Sequence, residues 1–226
     1  MNEKIKEQIK ENIEQITALL LLEFGAVKIN VEEPFKLVSG NYSPIYINCR
    51  LLISHAQFMD LFCSFAHWLI TSEDIRVDLI AGGETAGIPF SAYLAQRLGY
   101  PMVYVRKRPK DHGISSLIEG SVNEGQRVLL VEDLITDGLS KKGFIDGLRD
   151  QGVVVEDCLV VFDREQGGFD FLQTMGVTLY ALCNMQSALS VGSSAGVIST
   201  ADEKDVQAYL EDPKKWHKQQ GFEFIG

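Results

Sequence analysis

The chain has 226 residues, enough for one well-buried domain but hardly for two full ones. Its net charge of −10 disfavours broad nucleic-acid binding, because a phosphate backbone demands a basic surface. No apolar run is long enough to span a bilayer, the opening M-N-E-K-I-K-E-Q-I-K-E-N is too charged for a secretory signal, and Cys49, Cys63, Cys158 and Cys183 form no C-x-x-C pair; a cytoplasmic protein with neither a zinc site nor a disulfide framework is expected.

In chain order, residues 3–24 repeat apolar side chains at Ile5, Ile9, Ile13, Ile16 and Leu20, the spacing of an amphipathic helix. Residues 35–50, F-K-L-V-S-G-N-Y-S-P-I-Y-I-N-C-R, carry two short strand-like runs about a Ser-Gly-Asn turn and predict a hairpin. A helix over 55–70 follows, with Phe58, Leu61, Phe62, Phe65 and Leu69 as core residues. Strands and helices then alternate. Strand 77–81 leads into G-G-E-T-A-G, and the next helix runs to Leu98 with Gly99 as its stop. Strand 102–106 leads into a basic loop. Strand 127–131 is followed by a helix over about 138–149, and strand 153–162 by D-R-E-Q-G-G, a short helix and strand 177–182. Such alternation predicts an α/β fold with a parallel sheet flanked by helices. Ligands of open parallel sheets lie beyond the carboxyl ends of the strands. Four segments far apart in sequence should therefore share one edge.

The stretch V-L-L-V-E-D-L-I-T-D-G-L-S-K, residues 128–141, suggests what that edge holds. An apolar strand runs into Glu132 and Asp133, then into the loop Thr136-Asp137-Gly138-Leu139-Ser140 ahead of a helix. Backbone N–H groups at a helix start, with the hydroxyls of Thr136 and Ser140, can hold an anion. Five residues suit a single phosphate, and neither G-x-x-x-x-G-K-[ST] nor G-x-G-x-x-G is present. The two carboxylates can accept hydrogen bonds from vicinal hydroxyls and stabilise a nearby developing cation. Together they describe a site for a ribose 5-phosphate whose anomeric carbon becomes positive. Asp137 would repel a phosphate, so it is expected to turn away and cap the helix. In the basic loop, Arg106, Lys107, Arg108 and Lys110 put four of the chain's 21 Lys and Arg within five residues. G-S-S-A-G at 192–196, with Asp202 and His217 downstream, fits the order of a serine hydrolase, but no buried strand enters the turn and the two partners lie in a polar stretch, so that reading is set aside.

V-L-L-V-E-D-L-I-T-D-G-L-S resembles the signature for 5-phosphoribosyl 1-diphosphate (PRPP) in type I phosphoribosyltransferases. Three further segments resemble orotate phosphoribosyltransferases. Lys107, Lys110, His112 and Gly113 are in register with that family's mobile K-x-x-K-x-H-G loop. F-K-L-V-S-G-N-Y-S-P-I-Y-I-N is similar to its orotate-side hairpin, and D-R-E-Q-G at 163–167 to the segment whose Arg holds the substrate carboxylate. The resemblance covers about residues 24–185.

It implies a single phosphoribosyltransferase domain over 1–226, with a small hood contributed mainly by about 1–50 and the C-terminal part. The implied reaction is transfer of the phosphoribosyl group from PRPP to orotate, giving orotidine 5′-phosphate and pyrophosphate in pyrimidine biosynthesis. Glu132, Asp133 and Lys107 are the implied catalytic residues. Arg106, Lys110 and His112 close over pyrophosphate with Lys107, and Thr136, Asp137, Gly138, Leu139 and Ser140 form the phosphate loop. Arg164, Ser39, Gly40 and Tyr46 serve orotate. Magnesium is bound mainly through PRPP, and no residue is assigned to a metal. A homodimer with shared active sites is implied, with no nucleic-acid or membrane partner. Two positions depart from the pattern: Val38 and Ala86 stand where some members carry Lys. A phosphoribosyltransferase for a purine or uracil would keep the PRPP loop without needing the carboxylate clamp, and a non-catalytic RNA-binding regulator on the same fold is the other alternative.

Overall fold

The computed structural model describes residues 2–37, 39–108 and 117–225. Helix α1 (Glu3–Glu23) is capped by Asn2, whose side chain accepts the Lys4 N–H. Its buried residues are Ile13, Thr17, Ala18 and Leu21, while Ile5 and Ile16 are exposed. The expected apolar stripe is thus displaced, because the second half of the helix carries the core contacts. Strand β1 (Val27–Ile29) was not anticipated. The hairpin turn was, and β2 (Phe35–Lys36) pairs antiparallel with β3 (Tyr42–Ser43) around it. The chain then leaves the hairpin, and β4 (Ile45–Ile47) pairs with β1 instead.

A 3₁₀ turn at Cys49–Ser54 leads into α2 (Ala56–Ser72), which buries Phe58, Phe62 and Leu69 as expected but leaves Leu61 exposed. Then come β5 (Leu79–Gly83), α3 (Gly87–Leu98), β6 (Met102–Val105), β7 (Ile118–Glu119), β8 (Arg127–Ile135), α4 (Leu139–Arg149), β9 (Val154–Asp163), α5 (Gly168–Thr174) and β10 (Thr178–Asn184). Gly99 ends α3 in the left-handed conformation, φ +75°, as its position suggested.

The six-stranded sheet has the order β10-β9-β8-β5-β6-β7, parallel throughout except for β7, which runs antiparallel to β6. The chain builds β5 and β6 in one direction and returns to place β8 on the far side of β5. The crevice between the carboxyl ends of β5 and β8 is therefore the topological switch point, where such sheets bind ligands. Alternation along β8 sends Leu129 and Val131 into the core beneath α1, α2 and α3, and Val128 and Leu130 into the core beneath α4 and α5.

Three more helices, α6 (Met185–Ser194), α7 (Thr200–Glu211) and α8 (Pro213–Gln220), follow the sheet. The polar composition of this stretch hid them, yet Val206, Trp216 and His217 are buried. His217 is enclosed: its Nε2 accepts the Tyr42 N–H at 3.0 Å and its Nδ1 lies 2.6 Å from the Pro213 carbonyl. G-S-S-A-G lies at the end of α6, with no strand entering it, and Asp202 belongs to the cap that Ser199 makes on α7. No hydrolase triad exists there. Among the described residues no helix is long and apolar enough to cross a membrane.

Candidate active site

A cleft of about 540 Å³ opens at the switch point. Strand β8 runs four residues beyond the expected end at 131, so Glu132 and Asp133 belong to the strand and are buried, not loop residues in solvent. Successive strand residues face opposite sides. Glu132 therefore turns toward α4 and Asp133 toward Cys49 on the hairpin side, and both line the cleft.

Glu132 is 4% exposed and Lys141, one residue past the expected phosphate loop, 5%. Lys141 Nζ donates to Glu132 Oε2 at 2.6 Å. The other oxygen, Oε1, is buried and makes no hydrogen bond. It fills space left by two glycines, since a Cβ on Gly83 or on Gly87 would collide with it. Burial raises the Glu132 pKa from an ordinary 4.5 to about 7; Lys141 opposes that shift and wins back only part of it, and the charge of Asp133 adds to it.

In the loop expected to hold the phosphate, Gly138 takes φ +82° at the start of α4, a conformation that favours glycine. Asp137 Oδ1 accepts the Leu139 N–H at 3.0 Å, so it caps the helix start as expected. The same bond removes one of the amides expected to be open to an anion. Ser140 lines the cleft, Thr136 is half-buried beside it, and the Leu139 side chain is 61% exposed. Opposite, the Lys107 N–H donates to Glu84 Oε2 at 2.8 Å, which fixes the start of the basic loop at the mouth of the cleft. Arg106 leans on Glu119, with 3.4 Å between Nη1 and Oε1. Lys110, His112 and Gly113 lie outside the described residues, as does Val38. Among the described residues, no group of three His, Cys, Asp or Glu side chains could hold a metal ion.

The sequence matches the phosphoribosyl transferase domain family over residues 54–173. It is 45% identical over 213 residues to the orotate phosphoribosyltransferase of Cereibacter sphaeroides, covering 92% of this chain and 91% of that protein. The chain belongs to the orotate phosphoribosyltransferase family. Solved structures agree. The orotate phosphoribosyltransferase of Aeropyrum pernix superposes with a TM-score of 0.69 at 32% identity, covering 80% of this chain and 99% of that one. The UMP synthase of Leishmania donovani superposes with a TM-score of 0.73 at 28% identity, covering 87% of this chain and 42% of that longer one.

Of the residues that the resemblance assigns to orotate, Tyr46 lines the cleft and packs against Phe35, with ring centroids 5.6 Å apart. Ser39 and Gly40 do not line it. Gly40, at φ +91°, instead packs under Ile225, and Asn41 exchanges two hydrogen bonds with the Ile225 backbone at 2.8 and 2.9 Å. Arg164 stands at the end of β9 beside Cys49, the same thiol that neighbours Asp133. Its adjacent acids are engaged elsewhere: Asp163 Oδ1 accepts the Glu165 N–H and Glu165 Oε2 accepts the Gln186 N–H, both at 2.8 Å. Arg164 Nε is buried with no hydrogen-bond partner, and burial lowers the pKa of the guanidinium. An unpaired buried donor is costly, and Arg164 is not among the residues that line the cleft.

Family motifs pass over Arg50, Glu84 and Lys141, which line the same cleft. For Lys141 a signal existed. With Phe144, Ile145 and Leu148 it shares the buried stripe of α4, and a lysine in an apolar stripe requires a partner. Ala86, where some members carry Lys, is buried in the cleft wall.

Proposed function

We propose that the switch-point cleft holds PRPP and orotate together and that its residues divide the chemistry of the transfer. As a member of its family the chain transfers the 5-phosphoribosyl group of PRPP to orotate, yielding orotidine 5′-phosphate and pyrophosphate. The observation that carries the reading is the convergence of the β8 carboxylates, Ser140 at the start of α4 and Lys107 on one cleft.

No protein nucleophile is needed. Asp133 and Glu132 hold the ribose hydroxyls and stabilise positive charge as the bond from C1 to pyrophosphate lengthens and N1 of orotate approaches. Thr136 to Ser140 receive the 5-phosphate at the positive end of α4. Lys107, with Arg106, Lys110 and His112, covers the departing pyrophosphate and keeps water from the cationic ribose. Arg164 clamps the orotate carboxylate, the group that uracil lacks. Magnesium would be carried mainly by PRPP and would offset charge on its diphosphate. The protein works in the cytoplasm as a single domain, in a homodimer whose basic loops reach the neighbouring site, with no nucleic-acid or membrane partner.

The test is orotate consumption, followed by absorbance, with PRPP and Mg²⁺, and again with uracil or hypoxanthine in place of orotate and product followed by chromatography. Loss of orotate that depends on both PRPP and Mg²⁺, with no product from the other bases, is expected. Turnover of another base but not of orotate would retain the PRPP site and overturn the orotate assignment.

A further inference from the structure

We propose that Lys141 is a positioning residue of the transfer, fixing the Glu132 carboxylate in its charged form and in its orientation at the β5–β8 crevice. The inference rests on the phosphoribosyl-transfer reading above and extends it to a residue outside the family's motifs.

The geometry leaves Glu132 a single charged anchor among the described residues. Oε1 sits in the space provided by Gly83 and Gly87 with no side-chain partner, so beside a small contribution from the Gly83 backbone the carboxylate is held by the 2.6 Å bond from Lys141 to Oε2. The groups that face it come from several elements. Lys141 approaches from α4 and Cys158 from β9, Asp133 is its neighbour on β8, and Glu84 and Lys107 line the same cleft from the turns after β5 and β6. Among the described residues, Lys141 is the one cation within ion-pair distance of Glu132. Burial and the charge of Asp133 both push Glu132 toward its protonated form. A protonated Glu132 would bring no negative charge to a cationic ribose.

A purely structural role explains the pair poorly. Burying two charges is expensive, and an apolar pair of similar volume often serves stability as well or better. This pair lies in the wall of the cleft instead, and both of its members line it.

The experiment is the pH dependence of kcat and kcat/KM for orotate, from about pH 5.5 to about 9, in wild type, Lys141→Met and Lys141→Arg. In wild type the acid limb should reflect Glu132 losing its proton near 7. Lys141→Met should move that limb upward by at least about one pH unit, which is about a tenfold loss of activity on the acid side. Lys141→Arg should restore most of the shift. The phosphates of PRPP titrate identically with all three proteins, so their contribution cancels. An unmoved limb in Lys141→Met, or an equal shift in Lys141→Arg, would overturn the proposal. Should Lys141→Met not fold, Lys141→Gln takes its place: an acid limb raised above that of wild type supports the proposal and an unmoved limb defeats it. Wild type without orotate turnover at any pH would defeat the underlying reading. Wild-type turnover with an unmoved limb would defeat the role of Lys141 alone.

Discussion

Oε1 of Glu132 occupies the space that a side chain on Gly87 would need. The first residue of α3 and the fourth-last residue of β8 are thereby committed to each other: a glycine is required at the helix start so that a carboxylate can lie against it. Gly87→Ala would place a methyl group against Oε1 and against the Val131 carbonyl, and rigid backbone cannot yield. The expected result is a destabilisation of about 1–3 kcal/mol in urea denaturation. Orotate turnover should fall by about 100-fold as Glu132 is driven off its ligand, the scale set by losing one preorganised charge contact. Wild-type turnover in this variant would show that the carboxylate has no fixed place.

Stability should carry the mark of Glu132 as well. Its folded-state pKa, about 7, lies above the ordinary 4.5, so the folded protein binds the proton more tightly than the unfolded chain does. Where the folded state binds more protons, stability falls as pH rises. The contribution of Glu132 is therefore most favourable below pH 4.5, declines between 4.5 and 7, and is level above. Burial raises the pKa of Asp157 and Asp163 too, so they slope in the same direction. Glu132→Gln isolates the one group: its stability relative to wild type should climb as pH rises from 4.5 to 7, read from urea melts at a series of pH values. A constant difference across that range would contradict the assignment.

Lys107 is held at the mouth of the cleft through its backbone N–H to Glu84, and in the proposed reaction its ammonium meets the leaving group. Lys107→Ala should remove about 3 kcal/mol of transition-state stabilisation, on the order of a 150-fold loss in kcat, with unfolding unchanged. Turnover within about threefold of wild type would exclude Lys107 from the pyrophosphate role.

Arg164→Ala should lower kcat/KM for orotate by a factor on the order of 10³ to 10⁴, since a site built around a polar contact discriminates strongly when it is lost. KM for PRPP should change little. Steady-state kinetics varying each substrate in turn separates the two effects, and equal losses on both would point to a collapsed site.

Much of this site was legible in the sequence because its chemistry is local. The run from Val128 to Ser140 has strand, acids, turn glycine and helix start in one stretch, and Asp137 could be assigned to a cap from charge alone. Three things were not legible. The length of β8 was hidden because acidic residues normally mark a strand end, and only a salt-bridged Glu132 can stay inside one. The pairing of β1 with β4 joins residues from either side of the hairpin, which alternation within one segment cannot reveal. The helices at 185–220 are amphipathic with few apolar residues, and their buried members, Trp216 and His217, read as polar-tail residues until a surface exists for them to cover.

That surface has a bearing on how the molecule is made. The hairpin turn is closed by groups 175 and 184 residues away: His217 on the Tyr42 amide and the Ile225 backbone on Asn41. Contacts at such separation demand loop closure over most of the chain and form late in folding. During synthesis the sheet and its phosphate loop can assemble as soon as β10 has emerged, whereas the hairpin must wait, unlatched, until residues 213–225 are free of the ribosome. A nascent chain stalled after β10 should therefore carry the crevice between β5 and β8 with the turn at 39–42 still unfastened above it.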